Sequence, residues 1–471
     1  MIEDILYPLL KFYQASPPSI KRIAGEAYRN LPDSWKFGRT YIEFKNLLTL
    51  SEKWTSQQLL DYQWRKLKET IHFAYKNITF YRKRWAEFGI NPDKIKCFSD
   101  LTDIPFTTKQ DVRDNPLEFY PNNISSSKVL KMSTGGTTGE PLMLYYYKGI
   151  VRPREWAFIT HQWSRIGYKP GDLLAVFRSA IIRGTRNRRL WEYDPTRNRW
   201  IFSTFDLTDD NIPKMIDKLI QIKPKFLHVY PSALTIIASH LKERNVNLSI
   251  NSLRGILSGS ENTFPWQIKL FKDVFGCKVC RWYGLGELSA LGCSCEVSDY
   301  YHMFPQYSYV ELLDDEGKIV EREGRVGMIV GTTFDNPAMP LIRYKTQDYA
   351  ERGPTSCSCG RDYLLISEII GRSQEYVVTR DRSKIPLAPI IFGIHDAVWA
   401  EIRQVQFVQK EPGKLILKIA PGNNFNKNSL NFIRKAFLER LHPNFTFRIQ
   451  IVDGIPRTSS GKHKYIDQGL H

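Results

Sequence analysis

The stretch Met132-Ser133-Thr134-Gly135-Gly136-Thr137-Thr138-Gly139-Glu140-Pro141 has the composition of a loop that wraps an oligophosphate. Glycine admits positive φ and close backbone approach, so successive N–H groups can point inward while Ser133, Thr134, Thr137 and Thr138 add hydroxyl donors. The Walker A arrangement is absent, because Gly139 is followed by Glu140-Pro141 rather than by Lys-Ser/Thr. The positive charge must come from elsewhere, and Ile455-Pro456-Arg457-Thr458-Ser459-Ser460-Gly461-Lys462-His463-Lys464 offers it. For the loop alone, a Gly/Thr-rich surface turn is the plainer alternative. Between these ends, Tyr283-Gly284-Leu285-Gly286-Glu287 sets an aromatic face, two flexible residues and a carboxylate after an apolar run; Tyr344-Lys345-Thr346-Gln347-Asp348 and Gly371-Arg372 follow.

In this order the motifs resemble those of the adenylate-forming ligases: acyl-CoA synthetases, luciferases and peptide-synthetase adenylation domains. The Trp54–Trp85 segment with Phe80-Tyr81, and the cysteine pattern, are most similar to the phenylacetate-CoA ligase and capsular-polysaccharide (CapK-type) branch. The resemblance implies that Ser133 to Gly139 hold the phosphates of ATP, Tyr283 with Gly284 lies against adenine, Glu287 helps bind Mg²⁺, and Asp348 accepts from the ribose hydroxyls. A hard divalent ion suits oxygen ligands, and a diol suits a two-oxygen acceptor. Ser260 and Glu261 fall where the family lines the adenine pocket, Arg372 contacts the nucleotide, and His228 and Tyr230 line the acyl pocket. The resemblance makes Lys462 the catalytic lysine and gives Glu287 and Thr138 catalytic roles as well. A cation between an attacking carboxylate and the α-phosphate stabilises the transition state more than the separated anions. Two departures stand out: Gln347 replaces the usual glycine before the ribose contact, and Gln374 replaces the acidic hinge residue.

Seven cysteines, six of them between 277 and 359, look unlike a disulfide framework and more like a metal site in a reducing compartment. Cys357-Ser358-Cys359-Gly360 is similar to the Cys-x-Cys-Gly turn of the phenylacetate-ligase branch, and Cys295 with His302 to its partner segment. The resemblance implies a structural, tetrahedral zinc on Cys295, His302, Cys357 and Cys359, with Cys293 as a substitute ligand. Free buried cysteines are the alternative, and Cys277 and Cys280 read as core.

A chain of 471 residues with 42% apolar content can bury more than one core. The alternation of apolar runs and helical segments from about Asp172 to Gly331 predicts α/β layers, and strands around one amphipathic helix follow after about residue 400. The expected architecture is an α/β N-terminal domain (1–373) and a small mobile α+β lid (374–471). Thr55 and Gln58 form a capping-box pair, and Leu60, Trp64, Leu67, Ile71 and Tyr75 read as the buried stripe of the helix that follows. The N-terminus lacks a basic leader and no run of 18 apolar residues exists, which predicts a cytoplasmic protein.

Net charge is +18, with Arg178, Arg183, Arg186, Arg188, Arg189, Arg197 and Arg199 in one segment interleaved with Trp191, Tyr193 and Trp200. No nucleic-acid-binding motif accompanies it. A solvated basic loop is the plainer reading, and a collar for an anionic substrate the functional one. The sequence therefore predicts an ATP- and Mg²⁺-dependent ligase that activates a small-molecule or saccharide carboxylic acid and passes the acyl group to an amine or to CoA. It would serve cell-surface polysaccharide synthesis, with peripheral contact to membrane-linked intermediates. The alternatives are a phenylacetate-type aryl/acyl-CoA ligase and an inactive nucleotide-binding scaffold.

Overall fold

The computed structural model describes residues 16–133, 142–178, 189–246, 250–372, 376–382, 384–386, 401–440, 445–458, 463–468 and 470. The chain divides into two compact units, Met1–Lys169 with Trp282–Ile369 and Pro170–Arg281 with Ile370–His471. The second unit thus holds residues 170–281 together with the C-terminal part of the chain from Ile370.

The first unit opens with helices α1 (Pro18–Asn30), α2 (Asp33–Ser51), α3 (Ser56–Asn77) and α4 (Thr79–Glu87). The capping box that starts α3 is present: Thr55 Oγ1 accepts from the Gln58 N–H, and Gln58 Oε1 from the Thr55 N–H. Leu67 and Ile71 are buried as the spacing predicts, but Leu60 and Tyr75 are 42% and 39% exposed. The buried face passes through Leu59, Tyr62 and Ala74 instead. Tyr62 is covered by the Trp54 ring and Tyr75 stacks on Trp85, so neighbours outside the helix, invisible to its periodicity, displace the stripe. Phe80, Tyr81, Trp85, Phe119 and Tyr344 form one aromatic-rich core, in which the Tyr81 hydroxyl reaches Pro340 O and accepts from the Ile342 N–H.

After α5 (Lys109–Asp114), strands β1 (Val129–Ser133) and β2 (Met143–Tyr147) form an antiparallel hairpin, followed by α6 (Val151–Ser164). The main strands of this unit are the end of β8 (Lys278–Gly284), β9 (Leu291–Cys293), β10 (Tyr301–Met303), β11 (Ser308–Leu313), β12 (Val326–Thr333), β13 (Tyr344–Arg352) and β14 (Leu364–Arg372), in the order β11-β12-β13-β14-β10-β9-β8. Arg343, just before β13, is 2% exposed. Its guanidinium holds Glu311 of β11 through both oxygens, at 3.1 and 3.0 Å, and donates to the carbonyls of Leu101 and Ile104. Burial pushes the Glu311 carboxyl up, and Arg343 opposes that rise.

In the second unit β3 (Leu174–Phe177), β5 (Arg199–Phe202), β6 (Phe226–Val229) and β7 (Gly255–Gly259) run parallel, and β4 (Trp191–Asp194) joins β5 antiparallel. The strands β3, β6 and β7 are buried at every position, which is why they read as unbroken apolar runs. Helices α7 (Ile212–Ile222), α8 (Pro231–Glu243) and α9 (Pro265–Phe275) complete this layer. Its C-terminal part pairs β15 (Tyr376–Val378) with β16 (Lys384–Pro386). It then sets β17 (Ile402–Glu411), β18 (Lys414–Pro421), β19 (Thr446–Ile451) and β20 (Ile466–Gln468) in the order β19-β18-β17-β20 around α10 (Lys427–Arg440). Ile433 and Phe437 of α10 are buried against Phe407, Leu417 and Phe264.

Removing one partner of a buried pair strands a charge in a poorly solvating interior. Arg343→Gln is therefore expected to cost about 3–5 kcal/mol in urea unfolding, whereas Arg39→Gln, in an exposed pair with Glu43, should cost under about 1 kcal/mol. Equal small losses would show that the buried pair contributes no more than the exposed one.

Candidate active site and metal centre

Within the first unit the nucleotide motifs converge on the end of β8 and a bulge in β13. Lys345 pairs with Val330 and Tyr349 with Met328, so Thr346, Gln347 and Asp348 face Ile329 alone. Thr346 Oγ1 closes the bulge, donating to Ile329 O at 2.7 Å and accepting from the Asp348 N–H at 3.0 Å. Bulges of this kind re-aim a side chain. Here Asp348, 5% exposed, takes a 2.8 Å hydrogen bond from the Tyr283 hydroxyl on Oδ2. Gln347 sits at φ 65, the left-handed region where glycine is unstrained, so the replacement noted in the sequence is accommodated with a backbone cost of about 1–2 kcal/mol.

Glu287 follows β8 and accepts from the Tyr344 hydroxyl at 3.3 Å, and the neighbouring Gly286 O accepts from Tyr146 of β2 at 2.5 Å. This turn lies hard against β12: a Cβ on Gly331 would come within 1.9 Å of Ser289 O. The hairpin stem leading to the glycine-rich loop is thereby tied to the Glu287 turn. Ser133 ends β1, while Thr134, Gly135, Gly136, Thr137, Thr138 and Gly139 lie outside the described residues, as do Gln374 and Lys462. Arg372 ends β14.

In the second unit His228 ends in a cluster that sequence reasoning missed. Arg178, directly after β3, donates to His228 Nε2 and to Ser260 Oγ, with its guanidinium 5.1 Å from the Tyr230 ring centre. Burial, with the charge of Arg178 beside it, holds the His228 imidazole well below its usual range, so Nε2 is an acceptor. The available signal was a charged residue closing the apolar strand Leu174–Phe177. Arg199 is instead paired with Asp194 at 2.8 Å, Arg189 and Arg197 are exposed, and Arg183, Arg186 and Arg188 lie outside the described residues. Glu261 accepts from the Ser232 and His463 N–H groups.

The cysteine and histidine residues assemble as expected. The donor atoms of Cys295, His302, Cys357 and Cys359 all lie within 4.8 Å of one another. Cys295 and Cys357 sulfurs are 3.8 Å apart, and His302 Nε2 is 3.2 Å from Cys359 Sγ. Zinc–sulfur bonds of about 2.3 Å at the tetrahedral angle require sulfurs about 3.8 Å apart, so this donor set fits zinc. His302 Nδ1 faces Tyr300 O at 3.0 Å, which leaves Nε2 for a metal. Burial would raise the Cys295 thiol, but hydrogen bonds involving His302, Ser298 and Val297 bring it down to about 6, while burial pushes Cys359 up to about 11. Arg361 clamps the two ligand segments, holding both oxygens of Glu296 and, at 2.8 Å, Glu52 at the end of α2. Despite its burial, His161 and Arg361 bring Glu52 down to about 2. Cys293 and Cys280 are buried, Cys293 donating to Ser294 O at 3.1 Å, and Cys277 is half-buried.

Residues 377–468 match the family model of the CapK C-terminal domain. The phenylacetate-coenzyme A ligase of Pseudomonas putida is 26% identical over 72% of this chain and 76% of its own length. Protein CapK of Staphylococcus aureus is 23% identical over 86% of this chain and 88% of its own. The crystal structure of 2-hydroxyisobutyryl-CoA ligase in the postadenylation state, in complex with R3-HIB-AMP, is similar with a TM-score of 0.68 at 18% identity, covering 89% of this chain and 91% of that one. At that identity the likeness establishes the fold. The motif order, the fold and these relatives agree: the chain is similar to the adenylate-forming ligases, and within them to the phenylacetate-CoA ligases and CapK-like proteins.

Proposed function

We propose that this ligase activates a carboxylic acid with ATP, releases pyrophosphate, and passes the acyl group of the adenylate to an amine or to CoA in the synthesis of a cell-surface polysaccharide. The observation that carries the nucleotide reading is the Tyr283–Asp348 pair, an aromatic ring and a two-oxygen acceptor joined by a 2.8 Å hydrogen bond, with Glu287 on the turn that follows the same strand. Tyr283 would lie against the base and Asp348 would take both ribose hydroxyls, its orientation set by the bulge. Ser133 to Gly139 would hold the phosphates. Bound magnesium, taken by Glu287 and the phosphates, would neutralise charge on the leaving group. Lys462 would stabilise charge where the acid's carboxylate meets the α-phosphate, and His228 and Tyr230 would face the acyl group.

The CapK-type assignment draws support from the greater share of the chain matched by the Staphylococcus aureus protein and from the C-terminal family model. Contact with membrane-linked intermediates belongs to this reading, and exposed Ile20 and Ile23 beside Arg22 on α1 are suited to it. Among the described residues no helix is long and apolar enough to cross a membrane. Zinc on Cys295, His302, Cys357 and Cys359 would be structural, since four protein donors leave no open position. A phenylacetate-type CoA ligase and an inactive scaffold are the competing readings. Screening uronic, amino and aryl acids by pyrophosphate exchange tests all three: a protein that catalyses no exchange with any of the acids would favour the scaffold.

Lys462→Ala should lower the adenylation rate by a factor of about 10²–10³ and spare ATP binding, because the contact strengthens only as charge develops. Transfer from supplied acyl-adenylate should suffer much less; equal damage to both half-reactions would refute the role. Metal analysis should find one zinc per chain, with Cys359→Ser losing metal and thermal stability together. Carefully reduced protein without zinc would end the metal assignment. Replacing Arg186, Arg188 and Arg189 together by Gln should raise KM for an anionic substrate and leave KM for ATP nearly unchanged, and rising salt should mimic the substitution. A substrate KM insensitive to both would leave the segment a solvated loop.

A further inference from the structure

The sequence reading puts Glu261 in the adenine pocket, yet both of its carboxylate oxygens are engaged by backbone: Oε1 by the His463 N–H at 2.8 Å and Oε2 by the Ser232 N–H at 3.1 Å. Ser232 lies in the first turn of α8, where N–H groups have no partner inside the helix and the dipole favours negative charge. His463 directly follows Lys462 in the sequence. One carboxylate therefore joins a helix start to the residue next to the lysine.

The same segment is held on its other side by β17. Gln404 exchanges two hydrogen bonds with the Ile455 backbone, at 2.8 and 3.2 Å, His463 Nε2 meets Val405 O at 2.7 Å, and Gln406 donates to Lys464 O at 2.9 Å. Arg457 adds a bond to Ser232 Oγ at 3.0 Å. These contacts fix the chain on either side of Ser459–Lys462. Glu261 ties it to the part of the unit formed by residues 170–281.

Resting on the ligase reading above, we propose that Glu261 is a positioning residue for Lys462. Charge-assisted bonds to backbone N–H groups are shorter and stronger than neutral ones, so the anchor one residue from the lysine is a firm one. The chain is thereby anchored at the residue that directly follows the lysine. Glu261 itself touches no reacting atom. This role also differs from adenine binding, which would leave the C-terminal segment indifferent to the side chain at 261.

The test uses Glu261→Ala and Glu261→Gln in the full chain, read by pyrophosphate exchange and by amide hydrogen exchange of peptides covering 455–465. In the Ala variant kcat should fall about 10- to 100-fold with KM for ATP within about twofold of the parent, and protection at His463 should fall. Gln, which keeps one carbonyl acceptor, should lose less. In a Lys462→Ala background the Glu261 substitution should be nearly silent for exchange, because the two act as one unit. A raised KM for ATP at unchanged kcat, or losses that simply multiply, would overturn the proposal. Wild-type protein that catalyses no pyrophosphate exchange with any of the acids would end the ligase reading instead. The anchor would then be judged by hydrogen exchange alone, and unchanged protection in the Ala variant would overturn it.

Discussion

The buried pair of Arg343 and Glu311 fixes where the nucleotide side of the first unit can be built. A guanidinium has five donors in a rigid plane, and here two grip one carboxylate while others reach the carbonyls of Leu101 and Ile104. Such a set cannot shift by a residue without stranding charge in a medium that solvates it poorly. Because Arg343 immediately precedes β13, the register of that strand is pinned at its start. Tyr344, the next residue, carries its hydroxyl to Glu287, and the bulge that aims Asp348 begins after Lys345. Two of the proposed nucleotide contacts thus inherit their positions from an ion pair that touches no ligand.

The bulge shows how local strain is tolerated there. Gln347 holds a conformation that costs a side-chain-bearing residue about 1–2 kcal/mol, and a threonine hydroxyl bridging Ile329 and Asp348 keeps it in place. Strain of this size persists when the surrounding bonds over-determine the backbone. The departure from the family's usual glycine therefore changes the energy of the turn more than its path, since Asp348 still meets Tyr283.

Much of this was legible in the sequence because it depended on local signals. The capping box at Thr55, the limits of α7 and the strands β3, β6 and β7 follow from caps and apolar runs, and the four zinc-type donors came from likeness to the phenylacetate-ligase branch. What was not legible depended on partners distant in the chain. Leu60 and Tyr75 have suitable spacing yet are 42% and 39% exposed, while the Trp54 ring covers Tyr62 and draws the buried face towards it. Arg178 looked like one arginine among many, and only the approach of β3, β6 and the turn after β7 gives it His228 and Ser260. Glu261 was expected in the adenine pocket, and its backbone partners at 232 and 463 leave no trace in spacing.

The arginines also change what a net charge of +18 means. Arg154 is fully buried, its guanidinium 4.0 Å from the Tyr307 ring centre, and Arg281 and Arg343 are 2% exposed. Arg361 is committed to Glu296 and Glu52, and Arg199 to Asp194. Guanidinium groups suit such places because their weak hydration and planar shape let carbonyls, rings and carboxylates share one cation. A buried arginine held by a carboxylate, as Arg343 is by Glu311, presents no separate cation to an anion approaching the surface. The basic segment after β3 is accordingly not one uniform patch: Arg178 is turned to His228 and Ser260, Arg199 is neutralised by its pair, and Arg189 and Arg197 remain exposed. An electrostatic attraction for a charged acid would therefore depend on a few exposed residues, and would be correspondingly open to screening by salt.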